Sequence, residues 1–263
     1  MTRIESKQNP ALRHLARLMR EKKYRQRTGE MACEGGKLLE EALLSGVQVK
    51  TVLLCTGAPL DTRAASAVQR AAEQGARLLQ AEPPLFHTVS TLETPQSLLF
   101  SCLPVARGTL PDRLGSALLL DGVQDPGNLG TILRTADAFG LEAVVLCEGC
   151  ADETAPKVVR ATMGASFRQP VYHMPLAGAI AAMRARQLPV YAAALEPESV
   201  PVGAVPLTHT AVIVGNEGHG VTQQALEGCD GKLIIPMAGR AESLNAGVAA
   251  SILIWEMTKG GKA

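Results

Sequence analysis

The sequence predicts an α/β protein that consists of two domains. Its 263 residues, 46% of them hydrophobic, are enough to form one large core or two small ones. In the second half, short apolar runs alternate with helical patterns, which is typical of a parallel sheet connected by crossover helices. These runs are residues 117–120, 143–146, 189–194, 211–214 and 233–235. We therefore expect ligands to bind outside the carboxyl ends of these strands.

The first 105 residues predict a smaller α/β domain. Asn9 is a helix cap with Pro10 at the first helical position, and apolar residues follow at helical spacing. The pattern then predicts a helix at 37–44, a strand at 49–55, a helix at 62–74 and a strand at 76–79. Prolines and a glycine between 103 and 111 predict a linker. The expected organisation is a first domain at 1–105, a linker at 106–114 and a second domain at 115–263.

Charge is distributed unevenly along the chain. The formal net charge is +1, but residues 1–27 contain nine Lys or Arg and only two Glu, a net charge of +7 that leaves −6 for the remainder. We call residues 1–27 the basic arm. This asymmetry indicates a polyanionic partner, although a solvated amphipathic helix would show the same run of charge. The candidate contact residues of the arm are Arg13, Arg17, Arg20, Lys22, Lys23 and Arg25.

Membrane, secreted and metal-binding classes fit the sequence poorly. It has no run of about 18 uncharged apolar residues and no apolar signal-peptide core, so we expect a cytoplasmic protein. Six scattered cysteines in a chain of this size favour reduced thiols. Cys147 and Cys150 form a lone C-x-x-C pair, which is weak evidence for zinc, and we expect no metal.

A first polar cluster follows the predicted strand at 117–120. Asp125-Pro126-Gly127 is a turn signal, and we expect Asn128 to cap the helix that follows. Gly140 is the expected end of that helix, and Arg134 lies off its apolar face. The predicted buried face consists of Leu129, Ile132, Leu133 and Ala136. Taken alone, Asn128 would be only a cap and Arg134 only a solvated base.

Two further clusters follow later strands. In Gly215-Asn216-Glu217-Gly218-His219-Gly220, three glycines would let the backbone approach a ligand closely. The glycine spacing is not that of a dinucleotide fingerprint and the sequence has no P-loop, which disfavours a nucleotide-dependent oxidoreductase. The third cluster contains Ile234-Ile235-Pro236-Met237 and Glu242-Ser243-Leu244-Asn245. A helix at 246–257, rich in small residues that allow close packing, is expected after it.

Together the three clusters resemble a known family. The order N-L-G-x-x-x-R, G-N-E-G-x-G, then I-P-M with S-L-N resembles the motifs of the SpoU (TrmH-like) branch of the SPOUT RNA 2′-O-methyltransferases, over about residues 115–258. More loosely, Ser6, Asn9-Pro10, Tyr24-Arg25 and Glu34-Gly35 resemble the N-terminal substrate-binding domain of ribosomal-RNA members. The chain departs from the family pattern at Ser97, Ala246 and Gly247.

The resemblance implies a fold, a cofactor and an assembly. The fold is a parallel-sheet domain with a deep C-terminal trefoil knot, preceded by a small L7Ae/L30e-like domain. S-adenosyl-L-methionine would bind in the knot through backbone groups, and the protein would be a homodimer. The implied cofactor-binding residues are Gly215, Asn216, Gly218, Ile235, Met237 and Leu244. The implied catalytic residues are Asn128, Arg134, Glu217, Ser243 and Asn245.

The implied activity is methyl transfer to a ribose 2′-hydroxyl of ribosomal RNA, with large-subunit 23S rRNA as the expected substrate. One alternative is a tRNA ribose methyltransferase, which the separate N-terminal domain disfavours. The other is a catalytically silent RNA-binding protein on the same fold, which the intact set of five side chains disfavours.

Residue chemistry limits the role of Arg134 and the mode of RNA recognition. Because a guanidinium has a pKa above about 12, we expect Arg134 to orient an RNA phosphate and stabilise the developing 2′-oxyanion rather than act as the base. The chain has one Trp, three Tyr and four Phe, so we expect shape, phosphate and 2′-hydroxyl contacts to outweigh base stacking.

Overall fold

The structure, a computed structural model, describes residues 1–104, 108–240 and 242–259. The chain divides into two compact units, Met1–Ala106 with Asp152–Arg168 and Arg107–Ala151 with Gln169–Ala263. The segment Asp152–Arg168, which the sequence analysis assigns to the second domain, therefore belongs to the first unit. Part of the predicted linker, residues 106 and 107, lies outside the described residues.

The helices and strands follow the expected alternation. In chain order they are β1 (Thr2–Ile4), α1 (Pro10–Arg20), α2 (Lys22–Thr28), β2 (Met31–Glu34), α3 (Gly36–Leu44), β3 (Val49–Cys55), α4 (Thr62–Glu73), β4 (Arg77–Ala81), α5 (Pro83–Phe86), β5 (Leu98–Cys102), β6 (Ala117–Leu120), α6 (Pro126–Phe139), β7 (Ala143–Leu146), α7 (Pro156–Thr162), β8 (Val171–His173), α8 (Leu176–Ala185), β9 (Val190–Ala193), β10 (Val200–Pro201), β11 (Ala211–Val214), α9 (Gln223–Gly228), β12 (Gly231–Ile234) and α10 (Ala246–Thr258). A single turn of 3-10 helix covers Ala165–Phe167.

The first unit contains a mixed sheet in the order β1-β4-β3-β5-β2. β5 runs antiparallel to both β3 and β2, whereas β1, β3 and β4 are mutually parallel. The first unit contains two buried apolar clusters. One includes Leu15, Leu18 and Phe86, and the other includes Leu39 and Phe100. The predicted strands at 49–55 and 76–79 are confirmed as β3 and β4, and Asn9 caps α1 as expected. The sequence pattern does not indicate β2 and β5, because short strands that are buried throughout lack an alternating pattern, and it does not indicate β1, because β1 is an edge strand of only three residues.

The second unit contains a wholly parallel sheet in the order β10-β12-β9-β11-β6-β7-β8. Every residue of β6, β7 and β11 is buried, which explains their continuous apolar sequences. All five predicted strands are present, although β12 begins at Gly231 and not at Leu233. The edge strands β8 and β10 were missed because they are only three and two residues long. The loops after β6, β11 and β12 leave the sheet at the same edge.

The C-terminal helix α10 packs along α6. Gly247 and Ala250 are buried in this contact, and a Cβ on Gly247 would lie 3.4 Å from the Cα of Asn128. Further along, the hydroxyls of Thr135 and Ser251 lie 3.0 Å apart. The small residues of α10 therefore allow the two helix backbones to approach closely, as the sequence predicts.

Arg25 departs from its predicted role as an RNA contact. Its side chain is only 5% exposed, and its Nη2 lies 2.6 Å from Oδ2 of Asp152. It also donates hydrogen bonds to the carbonyl of Leu18 and to the hydroxyl of Thr154. Because these partners occupy the buried guanidinium, Arg25 connects α2 to the segment 152–168 within the first unit and is not a surface cation. Sequence alone could not separate it from its exposed neighbours, since its partner lies 127 residues away.

No helix in the described part of the chain is long and apolar enough to cross a membrane.

Replacing Asp152 by Asn should destabilise the first unit. Removing one partner of a buried ion pair leaves the other uncompensated, so we expect the free energy of unfolding in urea to fall by about 3–5 kcal/mol. The exposed pair of Arg3 and Glu82 provides the control, because Glu82→Gln should cost less than about 1 kcal/mol. Equal losses from the two substitutions would contradict the assignment.

The Asp152 contribution should also depend on pH. Burial raises the pKa of Asp152, but hydrogen bonds from Thr154 and Arg25 and the Arg25 charge lower it more, so the net shift is downward. Stability from a lowered carboxyl pKa is present above the unfolded pKa, about 3.9, and is lost as the pH falls through the folded value. The difference in stability between the wild-type protein and Asp152→Asn should therefore be constant near neutral pH and shrink below about pH 4.

Candidate active site

The first turn of α6 contains a buried amide. Asp125 is the N-cap, its Oδ1 accepting from the Asn128 amide at 2.8 Å, so the expectation that Asn128 is the cap is wrong. The Pro126 that follows Asp125 is the physical reason, because proline favours the first helical position and places the cap one residue before it. Asn128 lies inside the helix and is 8% exposed. Its side-chain amide is therefore free to bond across to other elements.

A tight turn after β11 positions Glu217. The backbones of Asn216 and Gly220 exchange two hydrogen bonds, and a Cβ on Gly215 would lie 2.1 Å from the Gly220 carbonyl carbon, so only glycine fits there. The Asn216 side chain donates to the Gly122 carbonyl and accepts from the amides of Gly218 and His219. The turn is thereby fixed both internally and to the loop after β6.

The Glu217 carboxylate covers the start of α6. It accepts from the backbone amides of Gln124 at 3.2 Å and Asp125 at 3.0 Å, and from Nδ2 of Asn128 at 2.9 Å. Partial burial raises the pKa of Glu217, but the bonds from Asn128 and from the backbone amides lower it more, and the net pKa is below its ordinary value. Glu217 is therefore an ionised anchor and not a proton donor at neutral pH.

Asn245 completes a relay across the three loops. Its Nδ2 donates to Oδ1 of Asn128 at 2.8 Å, while its own Oδ1 caps α10 by accepting from the amides of Gly247 and Val248. Asn128 thus donates to Glu217 and accepts from Asn245. We call these three residues the Glu217–Asn128–Asn245 relay. It connects the loops after β11, β6 and β12.

The other two predicted catalytic side chains are not part of this relay. Arg134 projects from the exposed face of α6, and Ser243 is exposed in the loop before α10. Within the described ranges, neither side chain has a hydrogen bond or an ion pair. Both are therefore unengaged by the protein, whereas the relay residues have their hydrogen-bonding groups occupied.

The predicted cofactor residues lie on two of the three loops. Gly215, Asn216 and Gly218 belong to the turn after β11, and Asn216 is itself occupied in holding that turn. Ile235, Met237 and Leu244 lie in the loop after β12. In the part of that loop that the structure describes, the main-chain groups of these three residues make no hydrogen bond. The loop after β12 therefore presents unpaired backbone donors and acceptors.

Asp121 and Asp125 were not predicted as site residues. Asp121 is buried at the end of β6, where its Oδ2 accepts from the Thr222 amide at 2.8 Å and fixes the end of the turn after β11. An acid directly after a buried apolar strand was a signal that could have identified it. Asp125 could have been predicted as the helix cap, because a cap directly precedes a proline at the first helical position.

The cysteines and the potential metal ligands form no cluster in the described ranges. All six cysteines are free, and burial raises the pKa of Cys147 to about 12. Among the residues that the structure describes, no group of three or more His, Cys, Asp or Glu side chains could hold a metal ion.

The basic arm presents several unpaired cations in the first unit. Arg13, Lys22 and Lys23 are exposed, and none of them has an ion-pair partner within the described residues. Arg20 donates to the carbonyls of Ala16 and Ser90, and Arg17 is paired with Glu21. Three of the six predicted contacts are therefore free surface cations.

The second unit is an α/β domain with a parallel sheet, and hydrogen bonds join the loops after β6, β11 and β12 at the carboxyl edge of that sheet. Parallel sheets of this kind bind ligands at that edge, as the sequence motifs indicate. Residues 115–255 match the model of the SpoU rRNA Methylase family, and residues 9–99 match that of the MRM3-like substrate binding domain. The chain therefore belongs to the SpoU rRNA methylase family.

Full-length relatives and solved structures agree with this membership. The chain is 38% identical to the 23S rRNA (guanosine(2553)-2′-O)-methyltransferase RlmP of Bacillus subtilis (strain 168), over 98% of this chain and 99% of the relative. The AdoMet-bound rRNA methyltransferase from Sinorhizobium meliloti matches with a TM-score of 0.86 at 28% identity, over 100% of this chain and 99% of that one. A putative TrmH-family RNA methyltransferase from Porphyromonas gingivalis matches with a TM-score of 0.82 at 32% identity, over 98% and 100%.

Replacing Asn128 by Ala should destabilise the second unit. The change removes the acceptor of Nδ2 of Asn245 and one of the two donors to Oε1 of Glu217, and a hydrogen bond to a charged group contributes about 1.5–3 kcal/mol. We expect the urea unfolding free energy to fall by at least about 1.5 kcal/mol. Gln124→Ala, at an exposed side chain on the same loop, is the matched control and should change it by less than about 0.5 kcal/mol. Indistinguishable values would mean that the relay contributes no stability.

Proposed function

We propose that this protein transfers the methyl group of S-adenosyl-L-methionine to a ribose 2′-hydroxyl of ribosomal RNA, and specifically of 23S rRNA. Membership of the SpoU family supports the activity, and the full-length match to a 23S rRNA 2′-O-methyltransferase supports the substrate. The observation that favours an intact enzyme is the Glu217–Asn128–Asn245 relay, because it joins all three sequence clusters through direct hydrogen bonds. We also propose a cytoplasmic location.

The loop after β12 fits the proposed cofactor. S-adenosylmethionine presents an adenine ring and amino and carboxylate groups, which backbone amides and carbonyls can bind. The unpaired main chain of Ile235, Met237 and Leu244 offers such groups, and the turn at Gly215–Gly220 would border the same site. When bound, the cofactor supplies an electrophilic methyl group on a sulfonium. We further propose that the second unit contains a C-terminal trefoil knot, with α10 threaded beside α6.

The relay residues would position the reacting groups and take no proton. Glu217 is ionised and covered by three donors, and Asn128 and Asn245 are neutral amides. Ser243 stands free in the loop before Asn245 and would contact the RNA or the cofactor. Because the relay connects this loop to the start of α6, it would keep the loop in place while substrate binds.

Arg134 would act on the RNA directly. Its guanidinium is exposed and has no protein partner in the described ranges, so it is available to bind a phosphate. Guanidinium binds phosphate bidentately and stays protonated, so it can stabilise a developing 2′-oxyanion but cannot serve as the base. The 2′-hydroxyl proton would leave to another group or to solvent as the methyl group is transferred.

The first unit would bind the RNA. We propose that residues 1–105 form an L7Ae/L30e-like substrate-binding domain and that Arg13, Lys22 and Lys23 contact phosphates. Their exposure and lack of ion-pair partners in the described chain support this role, and the match to a substrate binding domain agrees with it. Phosphate contacts of this kind weaken steeply as salt concentration rises.

The activity is tested with purified protein, S-adenosylmethionine labelled in the methyl group, and 23S rRNA from a strain that lacks the endogenous modification. We expect label in 23S rRNA and a ribose-methylated nucleotide on mapping. The nucleotide equivalent to guanosine 2553 is the first position to examine, in view of the relative from B. subtilis. Label found only in tRNA would indicate a tRNA ribose methyltransferase instead. The absence of cofactor binding in a titration would indicate a catalytically silent RNA-binding protein.

Arg134→Lys should reduce methyl transfer by about 10²–10³-fold, because a lysine keeps the charge but loses the bidentate geometry. The measurement is the single-turnover rate with saturating cofactor. Arg63→Lys, at an exposed position on α4, is the matched control and should leave the rate unchanged. Near-full turnover by Arg134→Lys at neutral pH would contradict the proposed role.

We also propose that the protein is a homodimer formed through α6 and α10. Phe139 and Trp255 lie in edge contact, with ring centroids 5.2 Å apart, yet they remain 42% and 50% exposed. Val248 on α10 is a further exposed apolar residue. An exposed aromatic pair, with an exposed aliphatic side chain two turns away on the same helix, is typical of a protein interface.

Sedimentation velocity tests this assembly. The wild-type protein should sediment as a dimer and Trp255→Glu as a monomer, because the charge would be desolvated in the interface. Leu44→Glu, at an exposed leucine on α3, is the control and should stay dimeric. A wild-type monomer at micromolar concentration, or a Trp255→Glu dimer, would refute the proposed interface.

A further inference from the structure

An arginine and a tyrosine are stacked where α1 meets α2. The Cζ of Arg17 lies 3.9 Å from the centroid of the Tyr24 ring, and the Cζ of Arg27 lies 5.0 Å from the same centroid. Arg17 also donates two parallel hydrogen bonds to Glu21, from Nε at 2.9 Å and from Nη2 at 2.8 Å. The Arg17 guanidinium is thus fixed from two directions.

Tyr24 is itself held in place. One part of its ring packs against the buried cluster that includes Leu15 and Leu18. Its hydroxyl lies 2.9 Å from Nδ1 of His14, and Nε2 of His14 lies 3.1 Å from Oε2 of Glu30. The tyrosine therefore has little freedom to move when a ligand approaches.

This arrangement leaves Arg17 poorly suited to bind phosphate. Glu21 neutralises its charge and occupies two of its five donors. The Arg17 side chain nevertheless remains 42% exposed, although it contacts both Glu21 and Tyr24. A planar guanidinium whose hydrogen-bonding edge is occupied can still stack on a nucleobase through its face.

Exposed cations near Arg17 would attract the RNA backbone electrostatically. Arg13 lies one helical turn before Arg17, and Lys22 and Lys23 begin the next helix. All three are exposed cations, and within the described residues none is paired. A stacking group surrounded by free cations is the arrangement that binds single-stranded nucleic acid.

We propose that Arg17, supported by Tyr24, forms a stacking platform for one unpaired RNA base. The neighbouring cations bind the phosphates on either side of that base. The proposal rests on the proposed RNA substrate, and it adds that the RNA element recognised by the first unit has an unpaired nucleotide. It also changes the expectation that Arg17 contacts phosphate.

The test compares two fluorescently labelled strands in an anisotropy titration of the full-length protein. One is an oligoadenylate of about 12 nucleotides, and the other is an abasic ribose-phosphate strand of equal length and charge. We expect the wild-type protein to bind the oligoadenylate about tenfold more tightly. Arg17→Lys, which retains charge but not the planar face, should lower that ratio at least about fivefold.

Further variants separate stacking from folding and from charge. Tyr24→Phe retains the ring and should keep the ratio, whereas Tyr24→Leu removes it and should lower the ratio. Arg13→Lys is the matched control. It should affect the binding of both strands equally and leave the ratio of their affinities unchanged. Circular dichroism melting of each variant verifies folding. An unchanged ratio in both Arg17→Lys and Tyr24→Leu would overturn the platform.

Two other outcomes would also overturn it. A wild-type ratio near one would show that the arm binds phosphates alone. Competition by polyglutamate as effective as that by oligoadenylate would assign the surface to an acidic protein. Methyl transfer to 23S rRNA is measured separately, so a protein that transfers methyl but shows no base preference refutes the platform only. One with base preference and no transfer refutes the proposed function only.

Discussion

A single buried amide unites the candidate active site. Asn128 donates to Glu217 and accepts from Asn245, so three loops that are distant in the sequence share one side chain. The carboxylate of Glu217 also covers the positive end of α6, where free backbone amides would otherwise lack partners. Asn245 connects the loop after β12 to the rest of the site, and the described main chain of Ile235, Met237 and Leu244 in this loop is unpaired.

The first unit depends on a comparable long-range contact. The buried pair of Arg25 and Asp152 joins α2 to a segment that follows β7 in the sequence. The cations of the basic arm thus lie in three different environments that the sequence does not distinguish. Arg25 is structural and buried, Arg17 is paired and stacked, and Arg13, Lys22 and Lys23 are exposed.

Much of the architecture could be predicted from the sequence because it follows from local patterns. Continuous apolar runs identified β6, β7 and β11, and the proline at the first helical position identified the start of α1. The strands that were missed are short, at a sheet edge or buried throughout, so no periodicity marks them. The segment Asp152–Arg168 follows the predicted linker in the sequence but packs with the first unit, because Val159 and Phe167 contribute to the first core and no local pattern indicates this.

The candidate site was located from the sequence, but its internal arrangement was not. The three clusters identified Asn128, Glu217 and Asn245 as functional, yet nothing local indicated that Asn128 lies between the other two. The local pattern therefore predicts that Asn128 is a helix cap, a role that Asp125 has in the structure. The burial of Arg25 could not be predicted from the sequence either, because its partner Asp152 is remote in the chain.

The most direct test of the relay is a double-mutant cycle between Glu217 and Asn245, whose side chains, within the described residues, both bond to Asn128 and not to each other. Glu217→Gln weakens one bond of the relay, and Asn245→Ser removes the other while retaining a residue that caps α10. We expect a coupling of more than about 0.5 kcal/mol in the urea unfolding free energy, with the second substitution costing less once the first is present. Additive effects, with a coupling below about 0.3 kcal/mol, would contradict the claim that Asn128 joins the loops of the site.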